Sequence, residues 1–130
     1  MVTKRNKLRP THAELAILSV LWRRGPSTVR EVHAALAKTK PTGYTTVLKL
    51  MQIMAEKGLV KRDERQRAHV YAARSAEHET QRQLVGDLLE RAFGGSAAKL
   101  VMHALSAQKT SDEELAQIRQ LLAALERGEK

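Results

Sequence analysis

The stretch GYTTVLKLMQIMAEKGLVKR, residues 43–62, has the pattern of a helix with two different faces, a glycine stop and a basic exit. One face has the helical spacing of a buried apolar stripe, formed by Val47, Leu50, Met51 and Met54. The other face mixes hydroxyl, amide, cationic and apolar side chains: Thr45, Thr46, Leu48, Lys49, Gln52 and Ile53. This mix is unusual for a face that only meets water, and it indicates a contact with another molecule.

Two helices are predicted before this stretch. The first begins at Thr11 in a T-x-x-E capping box and ends at Gly25. The second begins at Thr28 with the same pattern and ends before Pro41, since proline cannot continue a helix. Residues 1–10 are basic and lack periodicity, which predicts a flexible arm.

Two short segments after the quoted stretch, 59–63 and 68–73, are partly β-branched or aromatic and predict a hairpin with a polar tip at 64–67. Three helices followed by a hairpin is the order of a winged helix-turn-helix, in which the hairpin is the wing. The sequence therefore predicts a mainly α fold with a small β-hairpin, and a winged helix-turn-helix domain over residues 11–74.

Residues 75–130 carry three short amphipathic helices, separated at Gly94 and before Ser111. Such helices can hardly close a core by themselves, so their apolar stripes need a partner. A second copy is the simplest partner because most homo-oligomers are two-fold dimers. We therefore expect a helical dimerisation domain, with an interface formed by Leu84, Leu88, Leu89, Phe93, Leu100, Val101, Leu105, Leu115, Ile118, Leu121, Leu122 and Leu125.

The charge of the chain, +9 in total, is concentrated in its first part. Residues 1–74 hold 16 Lys/Arg against 5 Asp/Glu, whereas residues 75–130 have a net charge of −2. A basic region joined to a nearly neutral one indicates that the first region meets a polyanion.

Cysteine is absent, which excludes disulfides and thiolate metal sites. The start of the chain has no apolar run like that of a secretory signal, and no later run is long enough to span a bilayer. We therefore expect a cytoplasmic protein without membrane insertion.

The second face of the quoted helix suits DNA recognition. In a helix-turn-helix the third helix lies in the major groove, with its N-terminal part nearest the bases. Threonine and lysine can contact bases or phosphates there, and basic wing residues add phosphate contacts. The predicted DNA-binding residues are Thr28, Arg30, Thr45, Thr46, Leu48, Lys49, Gln52, Arg62, Arg65, Arg67 and His69.

Other interpretations of the same residues stay open. Thr45 or Thr46 would act only as a helix cap, Leu48 would belong to the core, and Asp63 and Glu64 would make the wing an ordinary charged hairpin. A winged helix can also bind proteins, or be gated by a small molecule, although the chain has few aromatic residues to line a pocket. Enzyme motifs such as a P-loop or H-E-x-x-H are absent, and no metal or cofactor is expected.

The segments AELAILSVLWRRGPSTVREVHAAL, YTTVLKLMQIMAEKGLVKR and RAHVYAA resemble the penicillinase-repressor family (BlaI, MecI and CopY type). The similarity continues through LLERAFGGSAAKLV and SDEELAQIRQLLAAL, so it covers nearly the whole chain from Leu8 to Leu125. The resemblance implies a homodimeric repressor that binds a palindromic double-stranded DNA operator. By position, the DNA-contacting helix of the family matches Thr45, Thr46, Leu48 and Lys49, with Tyr44 just before it.

The resemblance also adds a membrane sensor protease as a partner. In family members that answer β-lactams, such a protease triggers cleavage of the repressor at an Asn-Phe bond in the C-terminal helices. The matching region of this chain reads Val101-Met102-His103, without that bond. The copper-responsive members carry a cysteine motif. This chain has no cysteine, so copper sensing by that motif is excluded.

Overall fold

The computed structural model describes residues 9–129, so most of the predicted arm 1–10 lies outside the described residues. The elements are α1 His12–Arg24, β1 Ser27–Thr28, α2 Val29–Ala37, α3 Tyr44–Lys57, β2 Val60–Asp63, β3 Val70–Ala73, α4 Glu77–Phe93, α5 Ala97–Ala107 and α6 Asp112–Glu126. This order confirms the predicted mainly α fold with a small β-hairpin, which β2 and β3 form.

The helix boundaries follow from local capping chemistry. Thr11 accepts a hydrogen bond from the Glu14 N–H at 3.2 Å, while the Glu14 carboxylate accepts from the Thr11 N–H at 2.9 Å. Thr28 and Glu31 form the same capping box at the start of α2. Gly58, with a φ of 85°, ends α3 in the left-handed conformation that favours glycine.

The sheet has three strands in the order β1-β3-β2, with both pairs antiparallel. The sequence pattern predicted only the β2–β3 hairpin, because β1 is two residues long and too short to show a period. The third strand pairs Ser27 with Tyr71 and Thr28 with Val70. The wing strands are also shorter than predicted, and Ala68 and His69 lie in the tip of the wing.

A single apolar core joins the three N-terminal helices and the sheet. The buried stripe predicted on α3 is confirmed for Val47, Met51 and Met54, while Leu50 is partly buried against the core. The other buried apolar residues are Ile17, Leu18, Val20, Leu21, Val29, Val32, Leu59, Val60 and Tyr71. Each buried side chain of this size contributes roughly 1.5–3 kcal/mol to folding, so this cluster is the main stabilising element.

The chain divides into two compact units, with the boundary between Val85 and Gly86, inside α4. The sequence pattern placed the change after Arg74. The structure assigns the start of α4 to the first unit, because the Trp22 Nε1 donates a hydrogen bond to the Ser75 carbonyl at 2.9 Å and Thr80 is buried.

The second unit has no buried residue between 86 and 129. Its helices start where the sequence predicted, with Ser96 capping α5 and Ser111 capping α6. Among the residues predicted to form a dimer interface, one group is half-buried: Leu84, Leu89, Phe93, Leu100, Leu115 and Ile118. The others are exposed, namely Leu88, Val101, Leu105, Leu121, Leu122 and Leu125.

Candidate nucleic-acid interface

The start of α3 has no side-chain cap. Its N-cap is Gly43, which has no side chain to bond the first backbone N–H groups, and the helical bonding begins with the Val47 N–H donating to the Gly43 carbonyl at 3.1 Å. Among residues 9–129, no acceptor is found for the N–H groups of residues 44–46. Free N–H groups and the positive end of the helix dipole favour an anion at this point.

The predicted recognition face surrounds this helix start. Thr45, Thr46 and Lys49 are exposed, and Gln52 is exposed one turn further on. The alternative in which one of the threonines caps the helix is wrong, because Gly43 holds that position. Both hydroxyls therefore stay available for another molecule.

Leu48 and Tyr44 are less free than the threonines. Leu48 is half-buried and packs against the core, as the alternative interpretation held, so only part of its surface remains to meet DNA. Tyr44 is exposed, and its ring lies edge-on to His33 of α2, with centroids 5.7 Å apart. The sequence pattern did not identify His33, because ring contacts between two helices leave no periodic signal.

The start of α2 is already engaged within the chain. The Thr28 hydroxyl accepts the Glu31 N–H at 3.2 Å, and the Glu31 carboxylate accepts the Thr28 N–H, which lowers the pKa of Glu31. Glu31 also lies 3.7 Å from the Arg24 guanidinium. Arg30 is exposed. Among residues 9–129 Arg30 forms no ion pair, so of the two residues predicted here it is the one that can offer a cation to a phosphate.

A partly buried ion pair holds the far end of α3. The Lys57 Nζ donates to the Glu14 Oε1 at 2.7 Å, and the Glu14 side chain is almost fully buried. This contact joins the first turn of α1 to the last turn of α3. The sequence pattern identified Glu14 only as a capping residue, since a partner 43 positions away cannot be found from spacing.

The wing combines paired and unpaired cations. Arg62 donates to Glu64 at 2.7 Å, and Arg65 donates to both carboxylate oxygens of Asp63 at 2.7–3.2 Å. The Arg65 guanidinium lowers the pKa of Asp63 to about 2. Lys61, Arg67 and His69 are exposed, and among residues 9–129 neither Lys61 nor Arg67 forms an ion pair.

The described residues offer little room for a small effector at the foot of the winged domain. A cavity of about 20 Å³ is lined by Leu18, Gly58, Leu59, Ser75, Thr80 and Gln83. A space of this size holds roughly one water molecule. Within residues 9–129 there is no cluster of three metal-ligating side chains, and no helix has the length and apolarity needed to cross a bilayer.

The family model of the penicillinase repressor matches residues 10–124. The chain belongs to the penicillinase repressor family. Transcriptional regulator BlaI of Mycobacterium tuberculosis is 36% identical over 88% of this chain and 83% of its own length. The penicillinase repressor of Bacillus licheniformis is 24% identical over 85% of this chain and 86% of its own length.

A solved structure of a MarR family transcription regulator shares the fold. The regulator is 20% identical to this chain, and the two structures align with a TM-score of 0.54. The alignment covers 96% of this chain and 75% of the regulator. The resemblance seen in the sequence is thus confirmed, and the chain is a transcriptional regulator with a winged-helix DNA-binding fold. The family is one of repressors and not of enzymes, which confirms the expectation that the chain is not an enzyme.

Proposed function

We propose that the chain is a cytoplasmic homodimeric repressor that binds an inverted-repeat operator in double-stranded DNA. The observation that carries this proposal is the uncapped start of α3, where unbonded N–H groups lie beside the exposed Thr45, Thr46 and Lys49. A phosphate at the helix start would fix the register, while the threonine and lysine side chains would meet base edges in the major groove.

The wing supplies the second part of the interface. Lys61 and Arg67 are exposed cations without an ion-pair partner among residues 9–129, so they can neutralise phosphates without first losing an internal contact. Phosphate contacts of this kind add affinity on any sequence. In this arrangement α3 recognises the base sequence, whereas the wing binds the phosphate backbone.

The second unit supplies the dimer. Its exposed apolar side chains include Leu121, whose exposed fraction is 57%, and Leu122 and Leu125 on the same helix. Covering them removes apolar surface from water at about 25 cal/mol per Å². A second copy offers the same surface and yields the two-fold symmetry that an inverted repeat requires.

A membrane sensor protease is a further partner that we propose from the family. The segment Val101-Met102-His103 is exposed on α5, and Met102 is 67% exposed. A helical backbone does not fit an extended protease cleft, so cleavage would require local unfolding of α5. Incubation of the chain with the sensor domain, followed by mass analysis of the products, would locate or exclude a cut at this segment.

The operator is tested by selecting bound fragments from the genome of the source organism and footprinting them. We expect two inverted half-sites whose centres lie about 10 bp apart, or a multiple of that. A footprint with a single unrepeated half-site would contradict the dimeric arrangement.

The roles within the interface are tested with matched alanine variants. Thr46→Ala and Lys49→Ala should change sequence preference, because their side chains are proposed to reach bases. Arg67→Ala should weaken binding to operator and random duplexes alike and flatten the salt dependence. Equal effects of all three variants on both duplexes would refute the assignment of α3 as the reading element.

A further inference from the structure

The end of β2 and the tip of the wing carry two acidic residues, Asp63 and Glu64, among their cations, an arrangement that phosphate binding alone does not explain. The run Arg62-Asp63-Glu64-Arg65 forms two ion pairs, each between residues two positions apart. A phosphate-binding surface would gain from the two cations and lose from the two acids. The function of the acids is therefore a separate question from the function of the wing.

The contact between Asp63 and Arg65 occupies the guanidinium edge that a phosphate would use. The Arg65 Nε lies 3.0 Å from Asp63 Oδ1, and the Arg65 terminal nitrogen lies 2.7 Å from Oδ2. This two-point geometry is the same as that of arginine on a phosphate group. The Arg65 side chain is nevertheless 88% exposed, so it can be transferred from one acceptor to the other.

Arg67 provides the comparison on the same tip. It is exposed, two residues further along, and makes no ion pair within residues 9–129. A phosphate that meets Arg67 gains a new charge-assisted contact. A phosphate that meets Arg65 only replaces Asp63, and the net gain is small because one ion pair is exchanged for another.

We propose that Asp63 limits the affinity of the wing for DNA, on random and operator sequences alike, by holding Arg65 in an internal ion pair. This inference rests on the proposed DNA-binding function. On random DNA the wing is not held beside one particular phosphate. Moving Arg65 from Asp63 to a phosphate therefore adds little binding free energy. On the operator, α3 fixes the wing beside one phosphate, and the high local concentration of that phosphate draws Arg65 away from Asp63 at the cost of the internal ion pair.

The decisive variant is Asp63→Asn in the full chain. Its amide oxygen can still accept the Arg65 backbone N–H, which bonds to Asp63 Oδ1 at 3.0 Å, so the turn at the tip is retained while the charge is removed. We expect affinity for a random-sequence duplex to rise about fivefold at low salt, with the log–log salt slope steeper by about 0.9 per wing. Affinity for the selected operator fragment should rise at least as much, because on the operator Arg65 contacts a phosphate and the unaltered chain must first break the Asp63 ion pair.

A double-mutant cycle tests whether Asp63 acts through Arg65. In the Arg65→Gln background, Asp63→Asn should leave affinity for random duplex unchanged, because no guanidinium remains to be released. The control Glu113→Gln makes the same change in net charge on an exposed residue of α6 that has no ion-pair partner within residues 9–129. It should leave binding to both duplexes unaltered.

Three results would overturn the inference. An unchanged affinity of Asp63→Asn for random duplex would show that Arg65 is not withheld. An equal gain in the Arg65→Gln background would show that Asp63 acts by its own charge. If neither the unaltered chain nor any variant bound the operator fragment or random duplex, the proposed function would fail first, and the inference with it.

Discussion

The two units of the molecule differ in how far they bury their apolar side chains. The first unit encloses a core of fully buried side chains from α1, α2, α3 and the sheet. In the second unit no residue from 86 to 129 is buried, although α5 and α6 are as amphipathic as the helices of the first. The first unit thus has its own folding free energy, whereas the second displays apolar surface that a partner can cover.

This difference separates two kinds of stability. The first unit should unfold at a midpoint independent of protein concentration, whereas the second should depend on concentration because it gains its free energy from association. Trp22, the only tryptophan in the chain, lies in the first unit and bonds to Ser75. Its fluorescence therefore reports the unfolding of the first unit.

The largest effect is expected from a charge in the exposed apolar surface of α6. Leu121→Asp should convert the proposed dimer to monomer, because association would bury an unpaired carboxylate. Operator affinity should fall about 100-fold or more, since the two half-sites would no longer be bound together. Sedimentation equilibrium and operator binding measure the two consequences.

The control for this variant is Gln120→Asp, the same new charge on the neighbouring exposed position. It should leave both the mass and the affinity close to those of the unaltered chain. The unfolding of the first unit, followed by Trp22 fluorescence, should be the same in both variants. A monomeric Leu121→Asp protein with unchanged operator affinity would break the link between the second unit and DNA binding.

A smaller effect on the first unit is expected from Lys57→Met. This change leaves the buried Glu14 carboxylate with the Thr11 N–H but without the ammonium at 2.7 Å. The free energy of unfolding should fall by about 1–3 kcal/mol, the cost of an incompletely paired buried group. Denaturant unfolding followed by Trp22 fluorescence measures this loss.

The matched control is Lys61→Met, which removes an exposed lysine of β2 without an ion-pair partner among residues 9–129. It should change stability little. Because Lys57 belongs to the first unit, the mass of the proposed dimer should stay the same in both variants. If Lys57→Met were as stable as Lys61→Met, the partly buried pair would not be the contact that holds the end of α3.

Residue patterns predicted the parts of the fold that depend on local chemistry. The caps at Thr11 and Thr28, the stop at Gly58 and the stripe of Val47, Met51 and Met54 are all set by neighbours within four positions, and all are confirmed. Contacts between distant positions could not be predicted in this way. They include the strand at residues 27–28, which becomes visible only through its partner.

The candidate site shows the same limit. The pattern predicted which face of α3 is exposed, since helical period alone decides that. It could not decide which cations of the wing are free. Arg65 and Arg67 have the same charge and nearly the same position, and only the side-chain geometry shows that Asp63 engages the first and not the second. The roles of these residues in DNA binding stay predictions.

Gly43→Asp should weaken DNA binding without lowering the stability of the first unit. An aspartate at this N-cap can accept the free N–H groups of α3, and its charge favours the helix dipole, so the helix should not lose stability. The same carboxylate would occupy the proposed phosphate position and repel the backbone of DNA. Operator affinity should fall about tenfold, or roughly 1.4 kcal/mol.

Gly43→Ala is the control for the added side chain. Its Cβ would lie 3.9 Å from the Thr46 Oγ1, an ordinary contact, and it adds neither a cap nor a charge. Filter binding to the operator and unfolding by denaturant should both stay close to those of the unaltered chain. Equal affinity of the aspartate and alanine variants would show that the start of α3 does not meet a phosphate.

The smallest effect concerns the wing tip, which like the second unit has no buried residue. Carboxyl carbon shifts measured by NMR should give Asp63 a pKa of about 2, and Arg65→Ala should raise it towards the ordinary value for aspartate. Because folding lowers this pKa, the stabilising contribution is present above the ordinary value and is lost as the pH falls towards 2. Arg67→Ala should leave the pKa of Asp63 unchanged, and the Trp22 transition at neutral pH should be the same in both variants. If Arg67→Ala raised the pKa of Asp63 as much as Arg65→Ala, the two arginines would share the carboxylate, and the distinction between a held and a free cation at the tip would be lost.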